Sequence, residues 1–212
     1  MKELRVSHPG TDFPPKAKRP EEVAILIESF ACVTDARNLW YVSSPLTSGE
    51  RSLQWRRAVP NQLDDLSALV SENFRRDVVD VNRIDAAKFV QGLRAQHQSV
   101  VIDPTALADI PNWTQSDYRV FWARVIEEYV ETIVFRDGWQ HSNGCAWEFL
   151  TAYLANCKLL REDLTPLAVR EGQSLLEGAV AAASQGPMSG FLVSVLEALN
   201  NQGQDAKWHA PH

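Results

Sequence analysis

NRIDAAKFVQGLRAQHQSVVIDPTAL, residues 82–107, decides the fold class because its hydrophobic period changes partway along. The first part sets Ala86, Phe89, Val90 and Leu93 three and four residues apart, the spacing of one helix face. The second part, SVVID at 99–103, is a short apolar run closed by Asp-Pro, as expected for a strand buried on both faces. SDYRVFWARVIEEYVETIVFRDGW, residues 116–139, repeats the arrangement, with Val125, Ile126, Tyr129 and Val130 inward and TIVF as the strand. Upstream, NLWYVSSPLTSGER (38–51) is an apolar run that stops abruptly in Ser, Pro and Gly, the pattern of a buried strand feeding a ligand-facing loop. Helices alternating with short apolar strands predict an α/β fold on a central parallel sheet.

Outward from this centre, residues 1–20 carry four of the eleven prolines and no hydrophobic period, so they read as a surface arm. EEVAILIESFACV, from Glu21, reads as a short helix, and residues 59–76 place Leu63, Leu66, Leu69, Val70 and Phe74 near helical spacing. CAWEFLTAYLANCKLL (145–160) reads as one helix with Leu150, Tyr153, Leu154 and Cys157 on one side. Further helices are expected near 166–184 and 188–199, and residues 201–212 read as a flexible tail. The organisation is therefore a single α/β domain over 21–200 between an arm and a tail, without internal repeats.

Lys and Arg number 21 against 27 Asp and Glu, and the net charge of −6 argues against nucleic acid as a partner. The amino terminus has no apolar segment of the secretory type, and no apolar run is long enough for a bilayer. Cys32, Cys145 and Cys157 are an odd number at spacings that match no zinc or redox motif, which points to a reduced, cytoplasmic protein. The five histidines form no metal-ligand pattern and no phosphate-binding glycine fingerprint occurs, so cofactor-free chemistry is expected.

In an open parallel sheet ligands bind outside the carboxyl ends of the strands, which directs attention to three loops. The third, RDGWQHSNGCAWE, is the most informative: Ser142, Asn143 and Gly144 precede a helix whose first turns carry Glu148. Unpaired backbone N–H groups at such a start attract an anion, with the Ser142 hydroxyl as a further donor. A Glu there also suits the helix dipole, although the residue three after Ser142 is Cys145 rather than the Glu of a capping box.

Together, YVSSPLTSG, NRIDAAKFVQGLRAQHQSVVIDP and DGWQHSNGCAWEFLTAYLAN resemble the nucleoside 2-deoxyribosyltransferase-like superfamily, including its nucleoside 5′-monophosphate N-glycosidases, over roughly residues 38–160. The resemblance implies a flavodoxin- or Rossmann-like three-layer fold with a central parallel sheet and extra C-terminal helices. It also implies cleavage or transfer of an N-glycosidic bond in a nucleoside or its 5′-monophosphate. Ser142, Gly144 and Glu148 match the Ser-x-Gly-x-x-x-Glu motif, making Glu148 the nucleophile, with Ser142 and the Gly144 backbone on the phosphate. Tyr41 would orient Glu148, though a satisfied sheet tyrosine is an equal reading. The departing base needs a second acid, for which Asp117 is favoured over Asp103, although a helix-start role explains Asp117 about as well.

Where the family often has a glycine-containing turn, this chain has Ser43, Ser44 and Pro45. Ser44, Thr47 and Ser48, with Asn143 from the third loop, are candidate substrate ligands, Arg51 adds charge, and the serines and threonine are equally ordinary turn formers. Trp139, Trp147 and His141 flank the motif and either contact a base or fill core and solvent positions. The family's usual assembly implies a homodimer or higher homo-oligomer. Leu175, Leu176, Phe191, Leu192, Val195 and Leu196 either build that interface or cover the sheet within one chain. The rival class is a nucleotide-binding sensor or interaction module of the same fold without turnover.

Overall fold

The computed structural model describes residues 13–34, 37–58, 71–182 and 187–206, the side chains of 187–189 and 203–206 excepted. Residues 59–70 of the helical stretch expected over 59–76, residues 1–12 of the arm and residues 207–212 of the tail lie outside the described residues. Four strands form one all-parallel sheet: β1 (Leu39–Ser43), β2 (Val100–Ile102), β3 (Val130–Phe135) and β4 (Lys158–Arg161). Their spatial order is β2-β1-β3-β4, so the chain leaves β1 in one direction and then reverses across it toward β3 and β4. Right-handed crossovers convert that reversal into helices on opposite faces. α3 (Asp80–Gln96) packs on one face, while α1 (Pro20–Ala31), α4 (Gln115–Tyr129) and α5 (Asn143–Leu154) pack on the other. This three-layer flavodoxin-like arrangement agrees with the sequence reading.

Side-chain alternation along β1 sorts LWYVS between the layers. Trp40 and Val42 meet Val90 and Leu93 of α3, whereas Leu39 and Tyr41 join the larger core built with α4 and α5. α2 (Gly49–Ala58) follows β1, and α6 (Val169–Ala182) and α7 (Pro187–Ala206) complete the chain. Leu176, Phe191, Leu192 and Val195 are buried in the chain's own core and Leu196 packs against it, while Leu175 is exposed. The apolar C-terminal positions therefore mostly cover α5 from within.

Three expectations are corrected. The stretch CAWEFLTAYLANCKLL is not one helix: α5 ends at Leu154 and KLLR forms β4, parallel to β3. The break is a Schellman turn in which Asn156 adopts a left-handed φ of +56°, Cys157 N–H donates to Ala152 O at 2.9 Å and Asn156 N–H to Tyr153 O at 3.1 Å. The tail begins later than expected, because α7 runs on to Ala206. The arm does not merely lie on the surface over its described part, since Phe13 is 5% exposed and packs edge-on against Trp147 and Phe191, with centroids at 5.5 and 5.6 Å.

Cys145 and Cys157 are buried, Cys32 is exposed, and all three are free thiols. Among the described residues, no helix is long and apolar enough to cross a membrane, and no cluster of side chains suits a metal ion.

Candidate functional site

The reversal of strand order lies between β1 and β3, and the carboxyl ends of these two strands form the crevice where such sheets bind ligands. Two glycines with positive φ, Gly49 (+82°) and Gly138 (+79°), bring the loops after these strands together. A Cβ on Gly138 would meet Glu50 N at 3.4 Å and Gly49 Cα at 3.6 Å. Those are ordinary contacts, so at Gly138 it is the left-handed backbone that calls for glycine, whereas at Gly49 a Cβ would also crowd Pro45 Cγ at 3.1 Å.

Glu148 projects from the second turn of α5 toward β1. Tyr41 and Ser43, two residues apart and hence on the same strand face, both reach it. Tyr41 Oη donates to Oε1 at 2.7 Å and Ser43 Oγ to Oε2 at 2.6 Å, so each carboxylate oxygen holds one hydroxyl. Both donors are fully buried. Burial pushes the Glu148 carboxyl up to about 7, against the lowering effect of the hydrogen bonds from Ser43 and then Tyr41. Burial, reinforced by the neighbouring Glu148 charge, lifts the Tyr41 phenol well above its ordinary range, so it stays a neutral donor. The Cys145 thiol, one turn before Glu148, is pushed up to about 12 by burial and then by Glu148, which keeps it protonated.

The other predicted site residues divide. Ser142 is the N-cap of α5, its hydroxyl accepting from Cys145 N–H at 3.4 Å, so the capping role is realised even without a box. Nothing crowds Gly144: an added Cβ would find Ser142 Oγ at 3.8 Å, an ordinary contact, and no packing demand explains the glycine. Ser44 Oγ and Asn143 Oδ1 are buried atoms without a hydrogen-bond partner among the described residues. Such orphans are costly unless something fills them, which marks both as candidate ligand contacts. Thr47 is exposed in the loop and makes no hydrogen bond among the described residues. Trp139 stacks on Phe149 at 4.7 Å, and buried Trp147 donates to Arg119 O at 3.3 Å, so both are core residues. Half-buried His141 has its pKa lowered by burial, with Glu50 opposing.

Asp117 does not present itself as an acid. It closes a capping box on α4, its Oδ2 accepting from Thr114 N–H at 2.8 Å and Thr114 Oγ1 at 2.6 Å, while Oδ1 accepts from Arg19 N–H at 2.8 Å. Its burial by itself raises the pKa, yet these hydrogen bonds and one from the Lys18 backbone hold it below the ordinary value. A carboxylate so held is a helix cap and an anchor for the arm, the alternative the sequence left open. Asp103 stands one residue beyond Ile102, the partner of Tyr41 in the sheet. Its Oδ1 accepts from Thr105 N–H at 2.9 Å and Thr105 Oγ1 at 2.6 Å, and Oδ2 carries no hydrogen bond among the described residues.

A polar cleft of about 270 Å³ opens at the same sheet edge, lined by Ser48, Arg51, Asn82, Asp85, Arg136 and Glu162 among others. Its arginines are already engaged, Arg51 by Asn82 and by Asp85 at 2.9 Å, Arg136 by Glu162 at 2.8 Å. A larger groove of about 350 Å³ lies at the C-terminal end of α5, around Tyr153, Asn156 and Cys157, away from these carboxylates.

Sequence reasoning passed over Ser43, naming it only as part of a turn. The available signal was its spacing of two from Tyr41, which puts both side chains on one face if the strand extends that far. Comparison of the chain with protein-family models, with curated proteins and with solved structures finds no match.

Proposed function

We propose that this chain cleaves or transfers the N-glycosidic bond of a nucleoside or nucleoside 5′-monophosphate, with Glu148 as nucleophile. The observation that carries the reading is the Glu148 carboxylate held by Tyr41 and Ser43 at the sheet's switch point. One carboxylate oxygen attacks the anomeric carbon as the bond from that carbon to the base breaks, and the departing nitrogen takes a proton. Water, or a second base, then displaces Glu148 from the sugar. Asp103, with one oxygen unbonded beside β1, is the candidate proton donor in place of Asp117. Ser44 Oγ and Asn143 Oδ1 would accept or donate to sugar hydroxyls or phosphate, completing their hydrogen bonding.

A single incubation tests the proposal: wild type and Glu148→Ala with a panel of nucleosides and 5′-monophosphates, free base being followed by chromatography and mass spectrometry. Base release by wild type alone supports it, and added second base separates transfer from hydrolysis. The commitment of Asp117 to capping favours the nucleotide-binding module as the second reading. Thermal stabilisation by one ligand with no release from any would select that module.

A further inference from the structure

We infer that Ser43 is a positioning residue for Glu148, fixing the direction of its Oε2 and, with Tyr41, the plane of the carboxyl group. This inference rests on the glycosidic reading of the same site. Ser43 is the last residue of β1, and its own backbone is pinned: its carbonyl accepts from Arg136 N–H at 3.0 Å, and it pairs with Phe135 across the sheet. The direction of its hydroxyl is therefore set by the strand and not by the loop that follows. The side chain is 0% exposed, so it reaches no substrate; its hydroxyl holds Oε2 at 2.6 Å and is also hydrogen-bonded with the Cys145 thiol.

Tyr41 alone would anchor Oε1 and leave the carboxyl plane free to turn about that one contact. Two donors on different oxygens fix the plane, and the aim of a nucleophile within a fraction of an ångström governs how often it attacks. The groups around Glu148 supply little else for its charge. Tyr41 from β1 and Cys145 from α5 are both held protonated, and Asp103 at the end of β2 adds negative potential at Tyr41. The hydroxyl hydrogen bonds are thus what opposes burial, and the one from Ser43 is the larger influence. Hydrogen bonds to a charged group in a buried site are among the stronger ones, so losing this one has a measurable effect.

The decisive experiment titrates Glu148 directly, by carboxyl-carbon NMR of glutamate-labelled protein with the resonance assigned from Glu148→Gln. Ser43→Ala removes the hydroxyl, and Ser43→Cys keeps the size with only a weak donor. Both variants should raise the Glu148 pKa by about one unit or more. The acid limb of the pH profile for base release should move upward by the same amount, with KM little changed and kcat lowered on the high-pH plateau, where the ionised carboxylate has lost one of the two donors that aim it. An unchanged titration in Ser43→Ala overturns the inference. So does a shift in Ser43→Ala that Ser43→Cys abolishes, because the cause would then be the vacated volume and not the hydrogen bond. Absence of base release from wild type would defeat the glycosidic reading, while the titration still decides whether Ser43 holds Glu148.

Discussion

Glu148 carries opposed demands in one carboxyl group. A nucleophile must be ionised, yet burial disfavours the ion and brings the pKa to about 7. Base release should therefore rise with pH through about 7 and level above it, which a pH series of kcat/KM checks directly. The same shift acts on stability with a defined sign. The folded carboxyl binds its proton more tightly than the unfolded one, whose ordinary value is 4.5. The contribution is complete below 4.5 and is lost as pH climbs to about 7. The loss amounts to about 3 kcal/mol. Glu148→Gln escapes that loss, so it should melt above wild type at pH 8, with the gap closing by pH 4.5, while base release falls at least a thousand-fold. Asp117 behaves oppositely, since its lowered pKa makes its support present at neutral pH and lost in acid. Asp117→Ala should cost about 1–2 kcal/mol at pH 7 through the lost cap. Its pH profile for base release should keep the wild-type rise through about 7 and the plateau above it.

Among the elements, α5 supplies the nucleophile, and its packing sets where the carboxylate points. Phe149, the residue after Glu148, lies against Trp139 and Phe135 and directly beneath Gly172 of α6. A Cβ at Gly172 would sit 2.2 Å from the Phe149 ring, so Gly172→Ala should destabilise by about 2 kcal/mol, read as a lowered denaturation midpoint. The same helix shows where a sequence stops being legible. Leu150, Tyr153, Leu154 and Cys157 keep helical spacing straight through the break, so periodicity alone cannot see β4. The clue was Asn156, one of the few residue types that accepts a left-handed C-terminal position. Arg37 reinforces the stop from a distance by donating to Ala155 O at 2.8 Å, a contact no local reading contains. The pairing of Tyr41 and Glu148 was implied by the family resemblance, and residue type alone left a satisfied sheet tyrosine as an equal reading. The part played by Ser43 depended on how far β1 runs, and strand ends are fixed by the sheet partner more than by the strand's own residues.

For the whole molecule, alternation of helix and strand was enough to read the layers, although only the central strands β1 and β3 are buried on both faces: β2 lies at the sheet edge and its Val100 is exposed, against the expectation for SVVID. The strand order is a matter of tertiary pairing, which no local stretch encodes. Neither does composition reveal that Phe13 belongs to the core, since prolines surround it and its contacts with Trp147 and Phe191 are remote in sequence. Phe13→Ala should cost about 3 kcal/mol in urea unfolding, despite its place in an arm. The thiols offer a window on how such a body opens. Cys32 is exposed, whereas Cys145 and Cys157 are buried with raised pKa values, so a native sample should consume one equivalent of a thiol reagent quickly and three only when unfolded. Slow capture of the second and third equivalents would time separate events: modification of Cys145 records each parting of α5 from β1, and that of Cys157 each loosening where α5 meets β4. A mass spectrometer following two peptides would then clock the breathing of the crevice without any substrate in hand.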